Sequence, residues 1–177
     1  MEVGTKSLLF GVHQFIWHPI TVYRAWKELY GKPTWGELIC IIIHDWGYWG
    51  KPNMDGPEGE NHPIWSAMWA FKHLDRYHQT KYHYWLCLLH SRHIARAMRK
   101  EPSRLCYADK LSFKYDPWWF YLPRAWLSRE LFEYRKSALR NGFISPGTSH
   151  REWHRWAYTV MVTVGEKQKA DAMPYMN

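Results

Sequence analysis

A histidine–aspartate pair, His44 and Asp45, stands directly after an unbroken apolar run at residues 38–43. Such a run is typical of a helix that is buried on all sides. A carboxylate at the end of a buried helix must be paired or must bind a metal, because burying an isolated charge is prohibitively unfavourable. A neutral imidazole beside a carboxylate suits Mn, Fe, Co, Ni or Zn. The pair therefore predicts one corner of a metal site.

Further metal-ligating side chains lie at spacings that could complete this site. His18 and His62 each precede a proline, which favours the first turn of a helix, so both imidazoles are expected where a helix begins. His90 and Asp109 each lie in a mostly apolar helical run. The successive separations are 26, 17, 28 and 19 residues, each about one helix plus a loop. Helical bundles build metal sites from such inward-facing ligands. The predicted metal ligands are His18, His44, Asp45, His62, His90 and Asp109.

Two of these ligands have competitors nearby in the sequence. His13 lies five residues before His18, and His93 lies one helical turn after His90. The alternative interpretation of His44 and Asp45 is a buried hydrogen bond that joins two helices. The remaining histidines are predicted to lie on the surface or in loops: His73, His78, His83, His150 and His154.

At these residues, from about His13 to Asp116, the chain resembles the HD-domain superfamily, which is named for its His-Asp doublet. The stretches around His90 and Asp109 are similar to small HD hydrolases of phages and bacteria. The resemblance implies that one divalent metal is bound by His18, His44, Asp45 and Asp109. Family members with two additional histidines hold a second metal, with the doublet aspartate as the bridge. That pattern would place His62 and His90 on the second ion, giving one or two metals per chain.

Divalent metals in such a site favour hydrolysis of a phosphate ester, because they activate water and neutralise phosphate charge. Asp45, shared by both ions, is then expected to be essential. Negative charge that develops on the phosphate in the transition state is stabilised by nearby cations. The cations nearest the ligands in sequence are Lys110, Arg92 and Lys51. Glu58 and Glu60 precede His62 and are candidates for general acid or base. The alternative for all five is an ordinary solvated side chain.

The leading hypothesis is therefore a metal-dependent phosphohydrolase that acts on a nucleotide or a related phosphate ester. A di-iron oxygenase of the HD fold uses the same order of ligands and is the first alternative. A non-catalytic binding module is the second alternative, although packing alone does not require six such residues.

The composition bears on partners and location. The net charge of +8 favours a small anionic, phosphorylated substrate, and no block of five Lys or Arg marks a nucleic-acid arm. The 13 Trp, 12 Tyr and 7 Phe supply rings for a small helical core or for stacking a base. Three cysteines without CxxC spacing predict buried free thiols. The chain has neither a signal-peptide pattern nor an apolar run long enough to cross a membrane, so a cytoplasmic protein is expected. No pattern predicts its oligomeric state.

The periodicity predicts an all-α protein, a compact bundle of the HD type with about six to eight helices. A capping box at Ser149 and Glu152 favours helix over strand for the last segment. A loop rich in Gly and Pro at residues 46–61 links the His-Asp pair to His62. We expect one domain over residues 1–177, with a core at about 13–134 and a C-terminal extension at 135–177. The predicted helices are 5–16, 19–30, 35–45, 63–77, 80–97, 103–113, 118–138 and 149–170.

Overall fold

The computed structural model of the chain describes residues 1–172 and confirms the all-α class. This part of the chain forms ten α-helices and two short 3-10 turns, with no strand. The number of helices exceeds the predicted six to eight. The last five residues of the predicted domain lie outside the described residues. The helices are α1 (Val3–Phe10), α2 (Trp17–Tyr30), α3 (Trp35–Ile43), α4 (Pro63–His73), α5 (Tyr82–Leu88), α6 (Arg92–Ala97), α7 (Arg104–Ser112), α8 (Trp118–Ser128), α9 (Glu130–Arg140) and α10 (His150–Ala172).

Side-chain caps determine where several of these helices begin. Thr34 and Glu37 form a capping box before α3: each side chain accepts a hydrogen bond from the backbone N–H of the other residue. The predicted box before α10 is confirmed, since Glu152 accepts from the N–H of Ser149 at 2.8 Å and Ser149 Oγ accepts from the N–H of Glu152 at 3.3 Å. Such caps satisfy N–H groups that have no partner within the helix.

Two predicted long helices are each divided in the structure. Residues 80–97 form α5 and α6, because Ser91 caps a new helix by accepting from the N–H of Ile94. Residues 118–138 form α8 and α9, because Arg129 takes a left-handed conformation with φ of 78°. Helical periodicity continues through both breaks, so the pattern alone gives no sign of them.

Apolar side chains from α2, α3, α5 and α7 form the main core. Trp26, Ile41 and Leu105 are at most 1% exposed there, and Val162 of α10 covers the cluster. Gly165 permits this cover, because an added Cβ would lie 2.6 Å from Leu111 Cβ of α7. The core thus anchors the helices that carry the predicted ligands.

A second cluster joins α8, α9 and α10 and corrects one prediction. His154 is buried rather than on the surface, since it lies on the same face of α10 as Trp153 and Ala157. Its ring contacts Phe113 and Tyr121 with centroids 5.0 and 5.1 Å apart. The prediction was wrong because histidine is a polar residue and was therefore expected on the surface, whereas its position on α10 places it on the buried face.

The three cysteines are buried free thiols, as predicted: Cys40, Cys87 and Cys106. Within residues 1–172, none of the helices has both the length and the apolar character that crossing a bilayer requires.

Candidate metal centre

Four predicted ligands from three helices converge on one point. His18 lies in the first turn of α2, His44 directly follows α3, and Asp109 lies in α7. The Nε2 atoms of His18 and His44 are 3.3 Å apart, and Asp109 Oδ1 lies 3.3 Å from the first and 4.0 Å from the second. Asp45 Oδ2 lies 3.0 and 3.1 Å from the same two nitrogens. These atoms can surround one metal ion.

The other two histidines face the opposite oxygen of the same aspartate. Asp45 Oδ1 lies 3.3 Å from His62 Nε2 and 3.4 Å from His90 Nε2. The two imidazole nitrogens are 2.9 Å apart. His62 directly precedes α4, and His90 lies in the break between α5 and α6. The division of the predicted helix therefore creates the position from which His90 reaches the centre.

The backbone orients three of these imidazoles. The Nδ1 atoms of His44, His62 and His90 lie 2.9, 2.7 and 2.5 Å from the carbonyl oxygens of the residues three positions before them. A carbonyl only accepts, so each Nδ1 donates and each Nε2 presents a lone pair to the centre. Lone pairs that converge at 2.9 Å, as those of His62 and His90 do, repel each other unless a metal ion binds both or a proton on one nitrogen is donated to the other.

The electrostatics differ between the ligands. Burial by itself lowers the pKa of His18, but Asp109 and Asp45 outweigh burial and raise that pKa to about 10, so His18 must lose a proton before it can bind a metal. Burial by itself raises the pKa of the Asp45 carboxyl, but the nearby His44, His13 and His18 outweigh burial and hold that pKa well below its usual range. Burial lowers the pKa of His62 to about 4, which keeps the imidazole neutral. Asp45 Oδ2 is buried and receives no hydrogen bond of acceptable geometry from the described residues. A buried carboxylate oxygen and neutral imidazoles are what a divalent metal needs as ligands.

The turn after Asp45 holds the two halves of the centre together. Residues Trp46–Tyr48 form a 3-10 turn, in which Gly47 lies against the His62 backbone so closely that a Cβ would overlap the carbonyl oxygen of His62. The Tyr48 ring stacks on the His62 imidazole, with centroids 3.8 Å apart and planes 15° from parallel. Ser66 of α4 donates to the His44 carbonyl oxygen at 3.0 Å.

The structure separates His18 from its competitor His13. His13 Nδ1 lies 3.0 Å from Glu130 Oε2, and Glu130 is fully buried. The same carboxylate also accepts from the N–H of Val12 at 2.9 Å. Sequence reasoning missed Glu130, because these partners lie 117 and 118 residues away in the chain and no local pattern links them. His13 is thus paired beside the centre, whereas His18 contributes to it.

The second competitor, His93, is exposed on α6, three residues after the buried His90. Exposure leaves it in solvent, so His90 is the residue that joins the centre.

Of the predicted cations, Lys110 is the one that reaches a ligand. Its Nζ lies 2.8 Å from Asp109 Oδ2, the oxygen that does not face the histidines. Burial raises the pKa of the Asp109 carboxyl, but Lys110 and then His18 outweigh it and hold that pKa well below its usual range. Arg92 is exposed, and Lys51 is half-buried. No hydrogen bond or ion pair joins either cation to the six ligands within the described residues.

The two candidate glutamates lie in the loop before His62. Glu58 is exposed and accepts a hydrogen bond from Asn53 at 2.6 Å. Glu60 is half-buried and accepts a long hydrogen bond, 3.4 Å, from Ser91, the residue after His90. Glu60 is therefore the better placed of the two, and a catalytic role for either stays a prediction.

Two overlapping groups within this cluster could each hold a metal ion: His18, His44 and Asp109, and His44, Asp45 and His90. Comparisons of this chain with protein-family models, curated proteins and solved structures find no match.

Proposed function

We propose that this protein is a metal-dependent phosphohydrolase of the HD type, acting on a nucleotide or a related phosphate ester. One observation carries the proposal: the two oxygens of Asp45 face two different pairs of histidines, at 3.0 and 3.1 Å and at 3.3 and 3.4 Å. If two divalent ions are bound, Asp45 would help to hold both of them, one together with His18 and His44 and the other together with His62 and His90. When bound, such a pair of ions activates water and neutralises the charge of a phosphate.

The protein's own residues supply orientation and charge. Two carboxylates and Lys110 leave the cluster one negative charge when its imidazoles are neutral, which favours cations. Lys110 keeps 25% of its side chain exposed, against 1% for His44 and 3% for His90. The side of the centre at Lys110 is thus the more accessible, and its ammonium group can attract a phosphate there. The net charge of +8 favours the same class of substrate.

The test combines metal analysis with a nucleotide panel. Protein purified without chelator should contain divalent metal and release phosphate, pyrophosphate or triphosphate from a nucleotide in the presence of Mn²⁺. Asp45→Ala should abolish both bound metal and hydrolysis, because Asp45 is the shared ligand. His93→Ala, which changes an exposed histidine near the centre, should retain both. Full metal occupancy in Asp45→Ala would contradict the assignment.

Strict anaerobiosis separates this proposal from a di-iron oxygenase. Hydrolysis needs no oxygen and should continue unchanged, whereas an oxygenase consumes O₂ and depends on iron. Turnover that disappears when oxygen alone is removed would replace the phosphohydrolase with the oxygenase. Bound metal without turnover in either atmosphere would favour a binding module.

A further inference from the structure

Helix α4 carries a surface feature that the metal centre does not explain. Its buried face consists of small residues such as Ser66, Ala67 and Ala70. An outer face repeats every three or four residues and continues just beyond the end of the helix. We call this face the α4 strip; it consists of Trp65, Trp69, Lys72, His73 and Arg76.

The α4 strip lines a surface cavity of about 660 Å³. This volume lies within the range of ligand sites. The neighbouring apolar side chains that also line it are well exposed, including Ile64 at 47% and Met68 at 54%. Exposed apolar side chains that line one cavity are candidates for contacts with a ligand.

Aromatic rings from other segments of the chain contact the α4 strip. Trp65 stacks on Trp46, with centroids 6.0 Å apart and planes 29° from parallel, and Trp46 contacts Phe15 at 5.5 Å. Farther along the strip, the Trp69 and His73 rings lie 4.5 Å apart. Trp46 directly follows the ligand Asp45, Trp65 comes three residues after His62, and Phe15 comes three residues before His18. Two groups of rings thus lie along α4: Phe15, Trp46 and Trp65, each within three residues of a predicted ligand in the sequence, and then Trp69 with His73.

The charges of the α4 strip favour one kind of partner over a second copy of the chain or a lipid bilayer. Lys72 and Arg76 are exposed, and none of the described residues that line the cavity is acidic. A second copy of the chain related by a two-fold axis would place these cations against each other, which disfavours self-association. A helix that lies on a bilayer carries its apolar rings and its cations on different faces, whereas the α4 strip carries both on one face. Rings in a row beside cations are instead typical of surfaces that bind single-stranded nucleic acid.

We propose that the α4 strip binds single-stranded nucleic acid. Bases stack on Trp65 and Trp69, while Lys72 and Arg76 contact phosphates. The helical part of the strip, residues 65–73, spans about 12 Å, which accommodates about two to three nucleotides. This inference goes beyond the proposed hydrolysis and does not depend on it, because binding is measured without turnover.

The test is fluorescence anisotropy of a 5′-fluorescein-labelled 15-mer of thymidylate, titrated with the full-length protein at several salt concentrations. Binding should weaken steeply as salt rises, since phosphate contacts release counterions. A 15-base-pair duplex of the same label should bind more weakly, because its bases are not free to stack. The length of the probe is checked on a denaturing gel after each titration, so that cleavage is seen separately from binding.

Two variants test the two halves of the proposal. Trp69→Ala should weaken binding about fivefold or more through the loss of stacking, and Trp69→Phe should restore most of it. The double variant Lys72→Ala/Arg76→Ala should reduce the slope of log affinity against log salt by about 1.4, from two lost phosphate contacts. Matched controls are Trp35→Ala, an exposed tryptophan of α3, and Lys136→Ala/Arg140→Ala, two exposed cations of α9. Circular dichroism and thermal melting confirm that each variant is folded.

Several outcomes would overturn the proposal. Equal losses in the strip and control variants would show non-specific attraction to a basic protein. Thymidine monophosphate is also tested as a competitor of the labelled strand. If it competes as strongly as unlabelled strand at the same total nucleotide concentration, the cavity is a mononucleotide site. Strip-dependent binding to phosphatidylglycerol vesicles without strand binding would make it a lipid surface. Hydrolysis of nucleotides without strand binding would contradict nucleic-acid binding by the strip and leave the proposed hydrolase function standing. Strand binding without hydrolysis would support the strip and contradict the proposed hydrolase function.

Discussion

At the scale of single residues, the centre depends on which atom of each side chain faces inward. Backbone carbonyls receive hydrogen bonds from Nδ1 of His44, His62 and His90, so all three point Nε2 at the carboxylates. Asp45 divides its two oxygens between two groups of nitrogens. Orientation of the ligands before any ion arrives reduces the conformational entropy that metal binding must offset.

His90→Ala should lower the metal content from two ions per chain toward one. The variant removes one of the two imidazoles that face Asp45 Oδ1 and leaves the group around Oδ2 complete. Elemental analysis of purified protein measures the change. His93→Ala, an exposed histidine three residues away, is the control and should keep the full content. If the wild-type protein contains one ion per chain and His90→Ala contains the same amount, His62 and His90 are structural residues and not metal ligands.

Lys110→Ala should lower kcat/KM for the nucleotide by about tenfold or more, the size expected for a lost charge-assisted hydrogen bond. Lys110 is the cation that contacts Asp109 at the more accessible side of the centre. Steady-state kinetics measure the effect, and elemental analysis shows whether metal remains bound. The control is Lys114→Ala. Lys114 lies about one turn after Lys110 and pairs with Glu28 of α2. An unaltered rate in Lys110→Ala would exclude that residue from substrate binding.

At the scale of elements, most of the ligands lie at helix ends, whereas Asp109 lies within α7. His44 directly follows α3, His62 directly precedes α4, and His90 lies between α5 and α6. The chain can change direction at a helix end, so His44 and the residue after it, Asp45, both reach the centre. The 3-10 turn after Asp45 packs against His62 at the start of α4, which holds Asp45 close to that histidine.

Gly47→Ala should therefore disturb the second half of the centre. The added Cβ would overlap the His62 carbonyl oxygen, so the turn and α4 must move apart. Overpacking of this kind costs about 1–3 kcal/mol. We expect a lower melting temperature and a metal content reduced toward one ion, measured by calorimetry and elemental analysis. Gly147→Ala, at a glycine with open space around it, should change neither quantity.

At the scale of the whole molecule, two apolar clusters share α10. Val162 packs on the core that holds α2, α3 and α7, while Trp153 and Ala157 pack with α8 and α9. His154 belongs to the second cluster, and its Nε2 has no hydrogen-bond partner within the described residues. Acid that reaches this histidine thus acts on the contacts between α10 and the rest of the molecule.

Burial of His154 lowers its pKa to about 4, below the usual 6.5 of an unfolded chain. The unfolded state therefore takes up a proton that the folded state resists, and stability falls as pH drops from about 6.5 to 4. His154→Phe removes this contribution, so the midpoint of acid unfolding, followed by circular dichroism, should shift to lower pH. His78→Ala, at an exposed histidine, should leave the midpoint unchanged. An unshifted midpoint in His154→Phe would show that this group is not a source of acid sensitivity.

Local patterns in the sequence were sufficient for the helical class and the capping box before α10. They also indicated the six side chains of the centre, but left His13 and His93 as alternatives to His18 and His90. Helical periodicity, proline positions and the charge at the end of an apolar run depend on neighbours in the chain, so they can be recognised without coordinates. The tertiary structure decided the rest: the pairing of His13 with Glu130, the break that places His90, the burial of His154 and the division of Asp45 between two groups. It also assembled the group of rings from Phe15, Trp46 and Trp65, which lie far apart in the chain. Each of these depends on contacts between distant segments, whose register is set by packing and leaves no periodic signal in the sequence.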